Sequence, residues 1–359
     1  MRAMTQARWD LFCRVIDNYG DIGVCWRLAR QLAASGTPVR LWIDDASALS
    51  WMAPEGPPPG LSVHPWAEAA QASDCGAVVV EAFGCELPEA FVALMARQQA
   101  APAWINLEYL SAEDYVERSH GLASPQFSGP GQGLSKHFFY PGFSARTGGL
   151  LREPGLMAAQ QAFDAPAWLA RQGVAPRPGE RLVSLFAYPN AGLGELLARL
   201  GEAPTLLLAC PGAAQAALAA PDAPALPPGL RWQALPYLSQ DDYDRLLWAC
   251  DLNCVRGEDS FVRAQWAGKP FIWHIYPQDD GAHGPKLEAF MDRWLAGAEP
   301  ALAAQWRALW RAWNGLADWA PARLPPLADA QPHARAWRAH LAAQADLLTQ
   351  LRRFVQGNA

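Results

Sequence analysis

WDLFCRVIDNYGDIGVCWRLARQL, Trp9 to Leu32, is the stretch whose reading decides the fold. It opens on an apolar run, with Leu11, Phe12, Val15 and Ile16, of the length and β-branched content of a buried strand. Val24, Leu28 and Leu32 then recur at the spacing of one helix face, with Arg27 and Arg30 expected elsewhere on its surface. Between strand and helix lies DNYGDIG, Asp17 to Gly23, whose two glycines let the backbone turn sharply and approach a ligand closely. A strand, a glycine-bearing loop and a helix in succession predict an open parallel sheet with ligands at the carboxyl ends of its strands. Asp17 and Asp21 flank the turn. Asp21, following Gly20, is expected to project from the loop as an exposed carboxylate; the competing reading is that both acids only cap the helix.

Outward from this unit, PVRLWI (38–43), GAVVVEAF (76–83) and AWINLEYL (103–110) read as further buried strands, with a helix over Pro88–Arg97. Strands alternating with helices imply a parallel α/β sheet. From Arg118 to Gly149 the pattern dissolves into Ser, Gly, Pro and aromatics, a long irregular segment of the kind found at the mouth of a cleft. After a helical stretch (Gly155–Gln172) and the Pro-rich VAPRPGE, a second set follows: RLVSLFAY (181–188), PTLLLAC (204–210), LRWQAL (230–235), DLNCV (251–255) and KPFIWHI (269–275). Trp337, Leu341, Leu348, Leu351 and Val355 continue at helical spacing, set apart by Pro321, Pro325, Pro326 and Pro332. The expected division is 1–172, 173–334, and a C-terminal helix over 335–359 that packs across both domains or returns to the first.

A chain of 359 residues, 51% hydrophobic and 18% charged, has material for two cores and no compositional sign of disorder. Its seventeen tryptophans are expected mainly in cores. The net charge of −6 argues against a nucleic-acid binder with a broad basic surface. Cys13, Cys25, Cys75, Cys85, Cys210, Cys250 and Cys254 are odd in number and form no CxxC pair, so reduced, mostly buried thiols are expected. Arg8, Asp10 and Arg14 interrupt the first apolar run, and no segment approaches membrane-spanning length, so a soluble, cytoplasmic protein with no membrane partner is expected.

The second dense constellation is RGEDSFVRAQWAGKPFIWHIYPQDDGAHGPKLEAF, 256–290. Gly257 follows a strand, and Glu258, Asp259 and Ser260 precede a helical run, Phe261–Trp266. Free N–H groups and the positive end of a helix dipole at a strand's carboxyl end make an anion site suited to a phosphate or diphosphate. Ser260 is expected to add a hydroxyl donor; an acidic N-terminal cap is the alternative. His274, in an apolar-aromatic strand, reads as a packed core histidine. His283 with Asp279 and Asp280 matches no strong metal motif, and no metal is expected. Asp44 sits where a dinucleotide fold keeps its ribose-binding acid, but GDIG in place of GxGxxG weighs against a nicotinamide or flavin enzyme.

FCRVIDNYGDIGVCWRLARQL, FAYPN (186–190), LPYLSQDDYDRLLWACD (235–251) and RGEDSFVRAQWAGKPFIWHIYPQ (256–278) together resemble the bacterial elongation factor P maturation arginine rhamnosyltransferase family, over nearly the whole chain. The resemblance implies a GT-B glycosyltransferase, two Rossmann-like domains facing an inter-domain cleft. It implies inverting transfer of L-rhamnose from dTDP-β-L-rhamnose to an arginine of elongation factor P, with no metal or cofactor. By the same resemblance Asp17, Asp21 and Glu258 are catalytic, with Asp21 the base. Asn18, Tyr19, Gly20, Asn190, Arg256 and Gly257 bind substrate, and Tyr188 and Tyr276 line the donor pocket. Asp259 and Ser260 hold the diphosphate, and Gln240 and Tyr243 surround the thymine; the family often has Phe where this chain has Tyr243. The alternatives are a transferase of the same architecture with another acceptor, a non-catalytic nucleotide-sugar binder and a dinucleotide oxidoreductase. Chemistry favours paired acids for an arginine acceptor. Guanidinium is a poor nucleophile while delocalised; a carboxylate that grips one N–H localises its charge and can take the proton as the C–N bond forms.

Overall fold

The computed structural model describes residues 7–16, 19–278 and 281–357. The chain divides into two units, Met1–Pro154 with Ala342–Ala359, and Gly155–Leu341. The second unit therefore starts before the 172–173 boundary expected from sequence and includes the helices Leu156–Gln161 and Ala165–Arg171.

The first unit contains β1 (Trp9–Cys13), β2 (Val39–Ile43), β3 (Leu61–Pro65), β4 (Val78–Ala82), β5 (Ala103–Leu107), β6 (Ala123–Pro125) and β7 (Ser135–Phe139). Their order is β3-β2-β1-β4-β5-β7-β6, parallel except for the β6–β7 pair. β1 is buried along its length and is followed by the helix Gly20–Ala34, as the opening stretch predicts. The strand is shorter than expected, because pairing to β2 stops at Cys13 and Ile43, and Ile16 is left 65% exposed. Arg27 is not a surface residue either; it is buried, and its guanidinium meets Glu153 at 3.3 Å.

Two strands lie inside the segment read as irregular, and LSVHP (β3) shows no apolar run either. SKHFF makes β7 despite its polar residues because Lys136 pairs with buried Glu81 on β4, 3.2 Å away, and Trp104 on the intervening β5 donates to Glu81 at 3.1 Å. A satisfied buried network takes the place of apolar burial there.

The second unit holds β8 (Arg181–Leu185), β9 (Thr205–Ala209), β10 (Leu230–Ala234), β11 (Leu252–Arg256) and β12 (Phe271–His274), ordered β10-β9-β8-β11-β12 and parallel throughout. Trp294, Trp306, Trp310 and Trp313, from the helices His283–Trp294 and Pro300–Trp313, are fully buried in this unit. All seven cysteines are free thiols, and all but Cys75 are buried.

The expected C-terminal helix is two helices, Leu327–Ala342 and Leu347–Gly357. Arg152 draws the Ala342 and Gln344 carbonyls to itself, and Asp346 accepts the Thr349 N–H at 3.1 Å, starting the second helix. Leu347, Leu348 and Leu351 then join the core of the first unit. Pro332 sits inside the first of these helices instead of ahead of it. It removes one hydrogen bond, which the buried Ala330, Ala334, Trp337 and Leu341 face outweighs. No helix among the described residues is long and apolar enough to cross a membrane.

Candidate functional site

Each sheet reverses its strand order about its first strand, between β1 and β4 and between β8 and β11. In open α/β sheets ligands bind outside the carboxyl ends of strands at such a switch point, and the candidate residues gather there in each unit.

In the first unit Asp17 and Asn18 lie outside the described residues. The helix begins at Gly20, with Tyr19 ahead of it making no side-chain cap and its ring edge-on to Trp51, centroids 5.0 Å apart. Asp21 occupies the first helical turn, where the helix dipole favours an acid. It is not exposed as expected: only 2% of it is accessible. One carboxylate oxygen accepts the Ile16 N–H at 2.8 Å, closing the loop after β1, and the other accepts the Tyr109 hydroxyl at 3.3 Å. Asp44 accepts the Val15 N–H at 3.0 Å, a structural bond in the same loop. After β4 the chain turns through Phe83 (φ 57°), Gly84 (φ 65°) and Glu86 (φ 50°). Left-handed backbone at two non-glycine residues is strained, and it brings the Phe83 ring flat against Tyr109, centroids 4.4 Å apart. Beside this turn, burial pushes the Glu108 carboxyl above its usual range, against the pull of Lys136.

In the second unit β11 ends on Arg256, Gly257 turns at φ 59°, and Glu258 precedes the helix Asp259–Ala267 without capping it by its side chain. The Arg256 guanidinium lies over two rings at the end of β8, 4.3 Å from the centroid of Phe186 and 4.5 Å from that of Tyr188. Tyr188 is edge-on to His274 and to Tyr276, each at 5.4 Å, and Tyr276 is 45% exposed. Tyr243, from the helix Gln240–Ala249, packs edge-on to Phe186 at 5.9 Å, and Gln240 is buried at the start of that helix. A fixed cation, a helix N-terminus and an aromatic shelf are therefore held together at one sheet edge.

Two residues expected to face ligand spend their polar groups on the fold. Ser260 Oγ donates to the Arg256 carbonyl and accepts the Arg256 N–H at 3.0 Å, locking the strand-to-helix turn. Asn190 donates to the Trp313 carbonyl at 2.8 Å and accepts from the Gly192 N–H at 2.7 Å. His274 is the buried histidine expected; burial, helped by Arg256 and His283, lowers its pKa to about 4, so the ring is neutral near pH 7. The Gln278 N–H donates to His283 Nδ1 at 3.1 Å, while Asp279 and Asp280 lie outside the described residues. Phe186, Phe83 and Tyr109 were missed from sequence as site residues. The one available signal is an aromatic near the carboxyl end of a predicted strand, which marks all three. A hollow of about 760 Å³ opens at the opposite edge of the first sheet, lined by Trp9, Val78, Ala103, His137 and Arg352 among others, and no candidate residue lines it.

Two Rossmann-like, largely parallel sheets are the architecture of the GT-B fold, and the matches that follow make this protein a glycosyltransferase. The spinosyn rhamnosyltransferase SpnG shares that fold at 15% identity and TM-score 0.53, over 99% of this chain and all of its own. The structure that gives the basis for EarP-mediated arginine glycosylation of translation elongation factor EF-P is 37% identical, with TM-score 0.68, over 99% of this chain and 100% of that one. Residues 9–356 match the family of the Elongation-Factor P (EF-P) rhamnosyltransferase EarP. The protein-arginine rhamnosyltransferase of Pseudomonas putida is 47% identical over 98% of this chain and 100% of its own, and that of Pseudomonas aeruginosa 48% over 86% and 87%. The chain belongs to the EarP family of protein-arginine rhamnosyltransferases.

Proposed function

We propose that this enzyme transfers L-rhamnose from dTDP-β-L-rhamnose to one arginine side chain of elongation factor P, in the cytoplasm, by a single inverting displacement. The observation that carries the donor half is the end of β11. Gly257 at φ 59° turns the chain into a helix whose N-terminus starts beside Arg256, held on two aromatic faces. That arrangement suits a nucleoside diphosphate, with the exposed Tyr276 ring, backed by buried Tyr188, for the sugar and the part-exposed Tyr243 for the base. Arg256 and the helix start meet the leaving group's charge with the chain's own groups, so no resident metal or cofactor is required. A net charge of −6 supplies no basic surface for nucleic acid.

The acceptor half rests on the Asp21 loop. As base, Asp21 holds one guanidinium N–H and localises the charge, so that a guanidinium nitrogen can attack the anomeric carbon. The N–C1 bond forms as C1–O to the diphosphate breaks, the proton passes to Asp21, and the electron pair leaves with dTDP. Asp17 serves as the second carboxylate for the guanidinium fork, and Glu258, half-buried next to the anion site, serves sugar hydroxyls or the acceptor. Intact-mass measurement of elongation factor P after incubation with the enzyme and dTDP-rhamnose tests this. A gain of one deoxyhexose is expected. Turnover of dTDP-rhamnose with no mass gain on elongation factor P would assign the enzyme another acceptor.

A further inference from the structure

Asp21 is held by a partner from a distant part of the chain. Both oxygens of its carboxylate are engaged: Oδ2 accepts the Ile16 N–H at 2.8 Å, and Oδ1 accepts the Tyr109 hydroxyl at 3.3 Å. Tyr109 is itself fixed. It follows β5 and lies flat on Phe83, rings 17° from parallel. Phe83 stands there only because its backbone adopts φ 57°, a conformation that L side chains resist. The turn that imposes it is tied down on both sides: Phe83 N–H donates to the Leu107 carbonyl at 2.7 Å, Gly84 N–H to Asn106 Oδ1 at 3.2 Å, and Glu86 N–H to Glu81 at 3.3 Å. Strain kept at the carboxyl ends of β4 and β5, beside a carboxylate at the end of β1, calls for a reason beyond packing.

We propose that Tyr109, braced by the strained Phe83 turn, is a positioning residue that fixes the rotamer of Asp21 for the transfer step. The phenol pins one oxygen and the Ile16 amide pins the other, so the carboxylate plane is set before the acceptor arrives and little reorganisation remains at the transition state. This rests on Asp21 being the acceptor's base, and the test separates the two claims.

Tyr109→Phe removes the hydroxyl and keeps the ring on Phe83. Single-turnover rhamnosylation of elongation factor P should slow about three- to thirtyfold, the loss of one hydrogen bond to a charged group at the weak end of its range. The dTDP affinity and melting temperature should match the parent, and the acceptor KM should move less than kcat. Placed in the Asp21→Asn background, Tyr109→Phe should slow the reaction no further, because the carboxylate it positions is gone. A parent rate in Tyr109→Phe with a crippled Asp21→Asn overturns the positioning role alone. Equal slowing in both backgrounds overturns it too, by making Tyr109 act independently of Asp21. A parent rate in Asp21→Asn overturns the base assignment and this inference together.

Discussion

Asp21→Asn separates a base from a latch. In the folded enzyme the Asp21 carboxylate accepts the Ile16 N–H at 2.8 Å and the Tyr109 hydroxyl at 3.3 Å, in a site only 2% accessible. An asparagine keeps both: its carbonyl oxygen accepts from Ile16, and the phenol rotates to accept from its amide. What disappears is charge assistance on two bonds and the acid's place at a helix N-terminus, together about 1–2 kcal/mol of stability. For a unit of this size that lowers the melting temperature by about 2–8 °C, which leaves the protein folded at room temperature. Loss of a general base raises the barrier by more, typically 10²–10⁴-fold in rate or about 3–5 kcal/mol. The two effects are thus distinguishable. A folded Asp21→Asn enzyme with parental dTDP affinity should be slower by at least about a hundredfold in single-turnover rhamnosylation. If the melting temperature falls as expected and the rate stays within a fewfold of the parent, Asp21 is only the latch of the β1 loop, and the base is Asp17 or Glu258.

Ser260→Ala strips the partner from the Arg256 N–H; the ligand-free enzyme should lose about 1–3 kcal/mol, and an unchanged melting temperature would refute the turn-locking role. Arg263 and Asp244 form a buried bidentate pair at 2.8 and 2.6 Å. Arg263→Ala should destabilise by about 3–5 kcal/mol by stranding a carboxylate, and replacing both partners with Met and Leu should recover most of that in a denaturant titration. His274, with its pKa lowered from 6.5 to about 4, takes up its proton more readily unfolded than folded. Its stabilising contribution is complete above pH 6.5 and is lost as the pH falls toward 4, about 3 kcal/mol in all. The stability gap between the parent and His274→Gln should shrink over that window, and a gap independent of pH would refute the buried neutral ring.

Recognition of the fold from sequence worked where a strand is buried on both faces. VVVEA, TLLLA and LNCVR read as apolar runs because parallel strands covered on both sides need no polar alternation. It failed at LSVHP, an edge strand left mostly open to solvent, and at SKHFF, where Lys136 is stable beside Glu81, a partner the chain brings from elsewhere. It likewise merged Leu327–Ala342 and Leu347–Gly357 into one helix, because the break is made by Arg152, far away in the chain. The site divides in the same way. The residues proposed to carry the chemistry, Asp21 in its glycine loop and Arg256–Ser260 at a strand-to-helix turn, stand in contiguous strings, and local geometry dictates their spacing. What those residues do with their polar atoms was not legible. Asp21 meets Tyr109 across 88 positions, and Arg256 meets Phe186 and Tyr188 only because β8 and β11 are neighbours in the sheet. The sequence by itself determined the family, the layered α/β units and the loops that bear the acids, since these depend on local pattern. The burial of Asp21 and Arg27, the exposure of Ile16 and the hydrogen-bond partners were decided by the tertiary structure alone, because each depends on segments that meet only when the sheets form.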